Sequence, residues 1–231
     1  MSPYKIKNKL KERDIVLNML GTYPDCIRDL KAQKIDEDHE RKFYECIYQN
    51  GYSYILFHRT RLTQFEIEDI RKNGISLGGK ELLIEKIKNL PPTCDEHKGA
   101  LIARVRDLPR TRAENCIYAY FGNFHLCNDV ENDNVFFDYW GGESIYTCYL
   151  EDDSVGAEKM KKDLQCISKP CIIILRYPAD IEGSLLQKNL YQRFMKNETC
   201  NIVGAVWVER FLPEVIDVVD LTQYSCFDFS W

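Results

Sequence analysis

Apolar residues recur at roughly helical intervals over the first fifty positions. Ile6, Leu10, Ile15, Leu17 and Leu20 mark one stripe, Gly21 and Pro24 interrupt it, and Pro24 to Ile35 resumes it. A third helix is expected from about Asp36 to Gln49, stopped by Asn50 and Gly51. The period changes at Tyr52. Tyr52, Tyr54, Leu56 and His58 alternate with Ser53, Ile55 and Phe57, which predicts a strand closed by the histidine. From Thr63 the period is helical again. Thr63 with Glu66 three residues on forms a capping-box signature, and Asn73-Gly74 a stop. Lys80 to Leu90 reads as a helix ended by Pro91-Pro92, and residues 93–114 read as irregular.

The second half is richer in strand patterns. Cys116 to Phe121, Ser144 to Tyr149, Cys171 to Tyr177, Ile202 to Val208 and Val215 to Leu221 fit strands, and Ile172-Ile173-Ile174-Leu175 is the clearest buried run. Asn134 to Trp140 is apolar and aromatic before Gly141-Gly142. Helices are expected over Glu158 to Cys166 and Leu185 to Met195. Helices gathered early and strands late predict an α+β architecture instead of a regular alternation. Residues 1–51 read as a helical extension and 52–231 as an α+β domain.

Composition narrows the class. At 231 residues, 45% hydrophobic and 29% charged, the chain can bury a core without metals or disulfides. No apolar run approaches the length of a membrane helix, and Met1 to Lys11 lacks the apolar core of a secretory signal, so a cytoplasmic protein without a membrane partner is expected. The net charge of −5 argues against a generic polyanion binder. Ten cysteines show no C-x-x-C pair and no short disulfide framework, and most read as small buried hydrophobes in a reducing compartment.

The densest chemistry is His58-Arg59-Thr60-Arg61, expected at a strand-to-helix corner. An imidazole can hydrogen-bond a ribose hydroxyl, and a guanidinium can grip a phosphate with two prongs. The alternative is a locally satisfied histidine with two solvated arginines. Tyr118 and Tyr120 share one face of their strand, as packing residues or as a stacking surface. Tyr139-Trp140-Gly141-Gly142-Glu143 is either a core wedge and turn or a pocket wall, with Glu143 the most site-like carboxylate. Cys94-x-x-His97 and His125-x-Cys127 offer four possible zinc ligands, but 27 residues separate the histidines, so no metal is expected. His39, among Asp36, Glu37, Asp38 and Glu40, reads as solvated. Gly78-Gly79-Lys80 lacks the rest of a P-loop, and no G-x-S-x-G or H-E-x-x-H motif is present.

The run Phe57-His58-Arg59-Thr60, the helix to Asn73-Gly74-Ile75, the strand Ile117-Tyr118-Ala119-Tyr120-Phe121 and the closing strands around Leu212-Pro213-Glu214 together resemble the ADP-ribosyltransferase superfamily, over roughly residues 52–221. His58-Arg59-Thr60-Arg61-Leu62 and Tyr139-Trp140-Gly141-Gly142-Glu143 also resemble motifs of uncharacterised bacterial proteins. The resemblance implies a split mixed or antiparallel sheet. It also implies NAD as substrate, with His58, Arg59, Thr60, Tyr118, Tyr120, Tyr139 and Gly142 around it. Glu143, His58 and Tyr118 would be the catalytic set. The acceptor would be a protein or nucleic acid, and the setting a bacterial toxin or a phage-defence effector. Neither Glu198 nor Glu209 matches the family's glutamate pattern. Two alternatives stand beside it. One is a non-catalytic nucleotide- or protein-binding module engaging a partner through residues 1–50. The other is an RNA-processing enzyme with Arg59, Arg61 and either Arg104 or Arg106 on phosphate.

Overall fold

The computed structural model describes residues 2–16, 23–36, 38–76, 79–107, 116–121, 140–141, 155–179, 191, 195, 202–207, 212–224 and 227–228. The architecture is α+β. Among the described residues six strands form one mixed sheet in the order β6-β4-β3-β5-β7, with β2 beside β3. The strands are β2 (Asp14–Ile15), β3 (Ser53–Thr63), β4 (Cys116–Phe121), β5 (Ser168–Pro178), β6 (Ile202–Trp207) and β7 (Glu214–Asp220). Only β2 runs parallel to its neighbour, and the other pairings are antiparallel. A separate parallel pair joins β1 (Tyr4–Lys5) to β8 (Phe227–Asp228).

The two central strands explain themselves. β5 carries a continuous apolar run from Cys171 to Leu175, buried on both faces, as a central strand should. β3 pairs with it over eleven positions, from Ser53↔Pro178 to Thr63↔Ser168. Alternation along β3 then feeds two cores. Tyr54, Leu56 and Leu62 face α1 (Asp25–Ala32), α2 (His39–Gln49) and α3 (Gln64–Asn73). Ile55 and Phe57 face a second cluster with Tyr4, Ile6 and Val16. A third cluster joins α4 (Lys80–Lys88), α5 (Asp95–Asp107), α6 (Val155–Ile167) and Trp140. α3 begins on a complete Thr63–Glu66 capping box and ends at Gly74, whose φ of 84° favours glycine.

Four expectations change. The helical stripe over residues 4–16 is two short strands around a 3-10 turn, because Tyr4, Ile6 and Val16 pack under the sheet and Asp14-Ile15 pair with Ser53-Tyr54. Ile15, Tyr23, Ile27, Leu30, Phe43 and Ile47 share the main core with β3 and β5, so this part of the chain is built into the sheet instead of extending from it. Residues 95–107, expected to be irregular, are helix α5, whose buried stripe is His97, Leu101 and Val105. Cys26 and Cys46 form a disulfide joining α1 to α2, against the expectation of reduced thiols; Cys94 and Cys171 are free and buried as expected. Of the helix expected at Leu185 to Met195, Tyr191 and Met195 are described and helical, and the strand expected at Ser144 to Tyr149 lies outside the described residues. No described helix is long and apolar enough to cross a membrane.

Candidate functional site: a fork in the sheet at His58

β3 does not end at His58. It continues to Thr63, so the corner lies at Thr63 and His58 is mid-strand. The ladder on its other side is short. β4 pairs with β3 only at Leu56↔Phe121 and Phe57↔Tyr120, while it pairs with β6 at all six of its residues. Among the described residues the sheet therefore has two zippered parts, β3-β5-β7 and β4-β6, joined by a two-residue bridge. The bridge stops immediately before His58, which is half-buried where the two parts separate.

Strand alternation sorts the predicted residues. His58 and Thr60 share the phase of Tyr54 and Leu56, toward the helices. Arg59 and Arg61 share the phase of Ile55 and Phe57, on the opposite face. Arg59 is thus separated from His58, and the expected joint grip on one ligand is not formed. Arg61 is committed elsewhere. Its guanidinium donates to the carbonyls of Gln165 (3.1 Å) and Ser168 (2.8 Å) and to Ser168 Oγ (3.1 Å), satisfying the C-terminal end of α6. A phosphate pocket built on Arg61 therefore lacks its main donor. Arg104 and Arg106 stand in the last turn of α5.

The register of β4 sets position 120 opposite Phe57, so positions 118 and 120 are in phase with Phe57, and Ala119 is in phase with His58. The side chains of Tyr118 and Tyr120 are not among those described, so the cleft expected to gather His58 with Tyr118 or Tyr120 lies outside the described residues. Tyr139, Gly142 and Glu143 lie outside the described residues. Cys171, paired opposite Thr60, is fully buried, and that burial pushes its thiol up to about 12, so it is no nucleophile at neutral pH.

The other motifs resolve into structural junctions. Cys94 enters the α4–α5–α6 core, whereas His97 Nε2 meets Asp163 Oδ2 at 2.7 Å and lies 3.6 Å from Glu96 Oε1. His125 and Cys127 lie outside the described residues. His39 is buried, not solvated. Its Nε2 lies 2.7 Å from the Leu30 carbonyl and its Nδ1 2.9 Å from the Tyr191 hydroxyl. A carbonyl only accepts, so Nε2 donates and, in the neutral ring, Nδ1 accepts.

One constellation was only half visible beforehand. Glu66 does more than cap α3. Its Oε2 accepts from Thr63 N (2.9 Å), Thr63 Oγ1 (3.0 Å) and Trp140 Nε1 (2.8 Å), and its Oε1 meets Lys86 Nζ at 3.1 Å. The capping box and the aromatic-glycine block, read separately in the sequence, meet at this buried carboxylate. No family model, curated protein or solved structure matches the chain.

Proposed function

We propose that the protein binds NAD at the fork between β3 and β4 and transfers ADP-ribose to a macromolecular acceptor. The parting of the ladder at His58 supports this reading. It leaves a half-buried imidazole between two sheet parts that are each well zippered among the described residues. In the proposed reaction the bond between nicotinamide nitrogen and ribose C1′ breaks. The acceptor's nucleophile bonds C1′ and releases its proton to solvent, and nicotinamide departs neutral. His58 holds a ribose hydroxyl. Glu143, the most site-like carboxylate of the sequence, is assigned to stabilise the positive charge that develops on the ribose, which favours the transition state over the ground state. Incubating the full chain with NAD and a cell extract should release nicotinamide, and His58→Ala or Glu143→Gln should each lower the rate by about 100-fold.

The exposed apolar side chain of Ile35 favours a second reading, a non-catalytic binding module of the same fold. In that case NAD binds and is recovered intact. The partner surface then lies over α1 and α2, where Ile35 between them is 63% exposed while their apolar faces point inward.

A further inference from the structure

We propose that the groove between α3, α4 and Trp140 binds a small organic cation with an apolar body, a protonated alkyl- or arylamine. This inference is independent of the NAD reading. The groove opens at the Thr63 end of β3, roughly 17 Å along the strand from His58 at the usual rise per residue.

Its size and lining are those of a ligand site. The cavity encloses about 650 Å³, and small-molecule sites span roughly 300–1,000 Å³ with mostly apolar walls. Ile70, Leu82, Leu90, Pro91, Trp140 and Ile167 form those walls. Phe65 stands at the rim with 69% of its surface exposed, and α3 turns this ring outward when its neighbours Glu66 and Ile67 are buried. The floor is rigid. Trp140 is held through its indole nitrogen to Glu66, and Glu66 is held by Thr63, so the floor presents hydrocarbon with its polar atoms already engaged.

Charge selects the occupant. Glu66, Asp69, Glu85 and Lys86 line the groove. Lys86 pairs with Glu66, which leaves Asp69 from α3 and Glu85 from α4 as two carboxylates from facing helices. Asp69 accepts a hydrogen bond from the neutral Asn73 amide at 2.6 Å, and neither acid is ion-paired among the described residues. An anion would face two carboxylates with only an already paired ammonium to meet it. A neutral apolar guest would fill the walls and leave the acids unused. A cation with an apolar body satisfies both.

The full-length protein is titrated by calorimetry with 4-phenylbutylamine, 4-phenylbutanol and 4-phenylbutyrate, which share a body and differ in charge. The amine should bind saturably, the alcohol about fivefold more weakly and the acid more weakly still, two exposed ion pairs contributing about that factor. Asp69→Asn combined with Glu85→Gln changes two exposed side chains, and should weaken the amine about fivefold while leaving the alcohol unchanged. Leu82→Lys, which sets an ammonium in the groove, should abolish amine binding with an unaltered thermal midpoint. Equal affinity for amine and alcohol, undiminished amine binding in the doubly substituted protein, or no saturable amine binding each overturns the assignment.

Discussion

Trp140 stands 74 residues from Glu66, yet its indole nitrogen supplies a third donor to the carboxylate oxygen that caps α3. The cap itself was legible in the sequence, because Thr63 and Glu66 are three residues apart and a capping box is local chemistry. The Trp140 bond was not, since nothing in the spacing of Tyr139-Trp140-Gly141-Gly142 indicates which distant acid the indole reaches. The same limit applied to His39. Four acidic neighbours in sequence suggested solvent, and the partners that bury it, Leu30 and Tyr191, arrive through tertiary packing. Trp140→Phe keeps an aromatic ring and removes one donor from a buried charge. A buried acceptor that loses its donor costs about 1–3 kcal/mol, so urea unfolding should show that loss with an unchanged m-value. Unaltered stability would mean that the bond does not hold Glu66 in place.

Helices α1 and α2 show what periodicity reads well and what it misses. Both were placed from their apolar stripes, and Pro24 and Gly51 mark their limits as turn residues should. α5 escaped notice because Gly99, Ala100 and Ala103 dilute its stripe. The signal present in hindsight is the spacing of His97, Leu101 and Val105 by four, with Asp95 and Glu96 at the start and Arg104 and Arg106 at the end, each sign complementing the helix dipole. β3 was cut short for the opposite reason. Its polar half, His58 to Thr63, looks like a corner, and only pairing with β5 keeps it extended. The α1–α2 disulfide was invisible in a cysteine count, because connectivity is set by tertiary approach. It closes a loop of 20 residues, for which chain entropy gives about 3 kcal/mol of stabilisation. Cys26→Ser should lower stability by that amount in non-reducing buffer. Adding a strong reductant should bring the unsubstituted protein down to the same value and leave the variant unmoved.

Across the whole molecule, the first sixteen residues act as a strap over the sheet's second face. Tyr4 and Ile6 pack with Phe57 and Ile174, the Tyr4 hydroxyl donates to Asp217, and Tyr4-Lys5 pair with the C-terminal Phe227-Asp228. This long-range closure was illegible because the strands are two residues long and lie at opposite ends of the chain. Its polar anchor is Asp14, 3% exposed, which receives Arg176 through both carboxylate oxygens, at 2.8 Å and 2.7 Å. Glu214 on the edge strand takes the remaining guanidinium nitrogen at 2.7 Å. The bidentate pair and the second acid hold the Arg176 guanidinium well above its ordinary range, with the Asp14 hydrogen bond as the largest cause. A buried pair of this kind is expensive to break from one side. Asp14→Asn leaves the arginine charge with an exposed partner only, and should destabilise the fold by about 3–5 kcal/mol. Replacing both groups with apolar residues, Asp14→Leu with Arg176→Met, removes the charge together with its counter-charge and should recover most of that loss. A double-mutant cycle on urea unfolding separates the alternatives. If the strap holds mainly through this pair, the coupling energy is large and the double variant is more stable than either single one. If Tyr4, Ile6 and Val16 hold it through apolar burial alone, the two changes add, and the salt bridge serves to set the register of β2 against Ser53 and Tyr54.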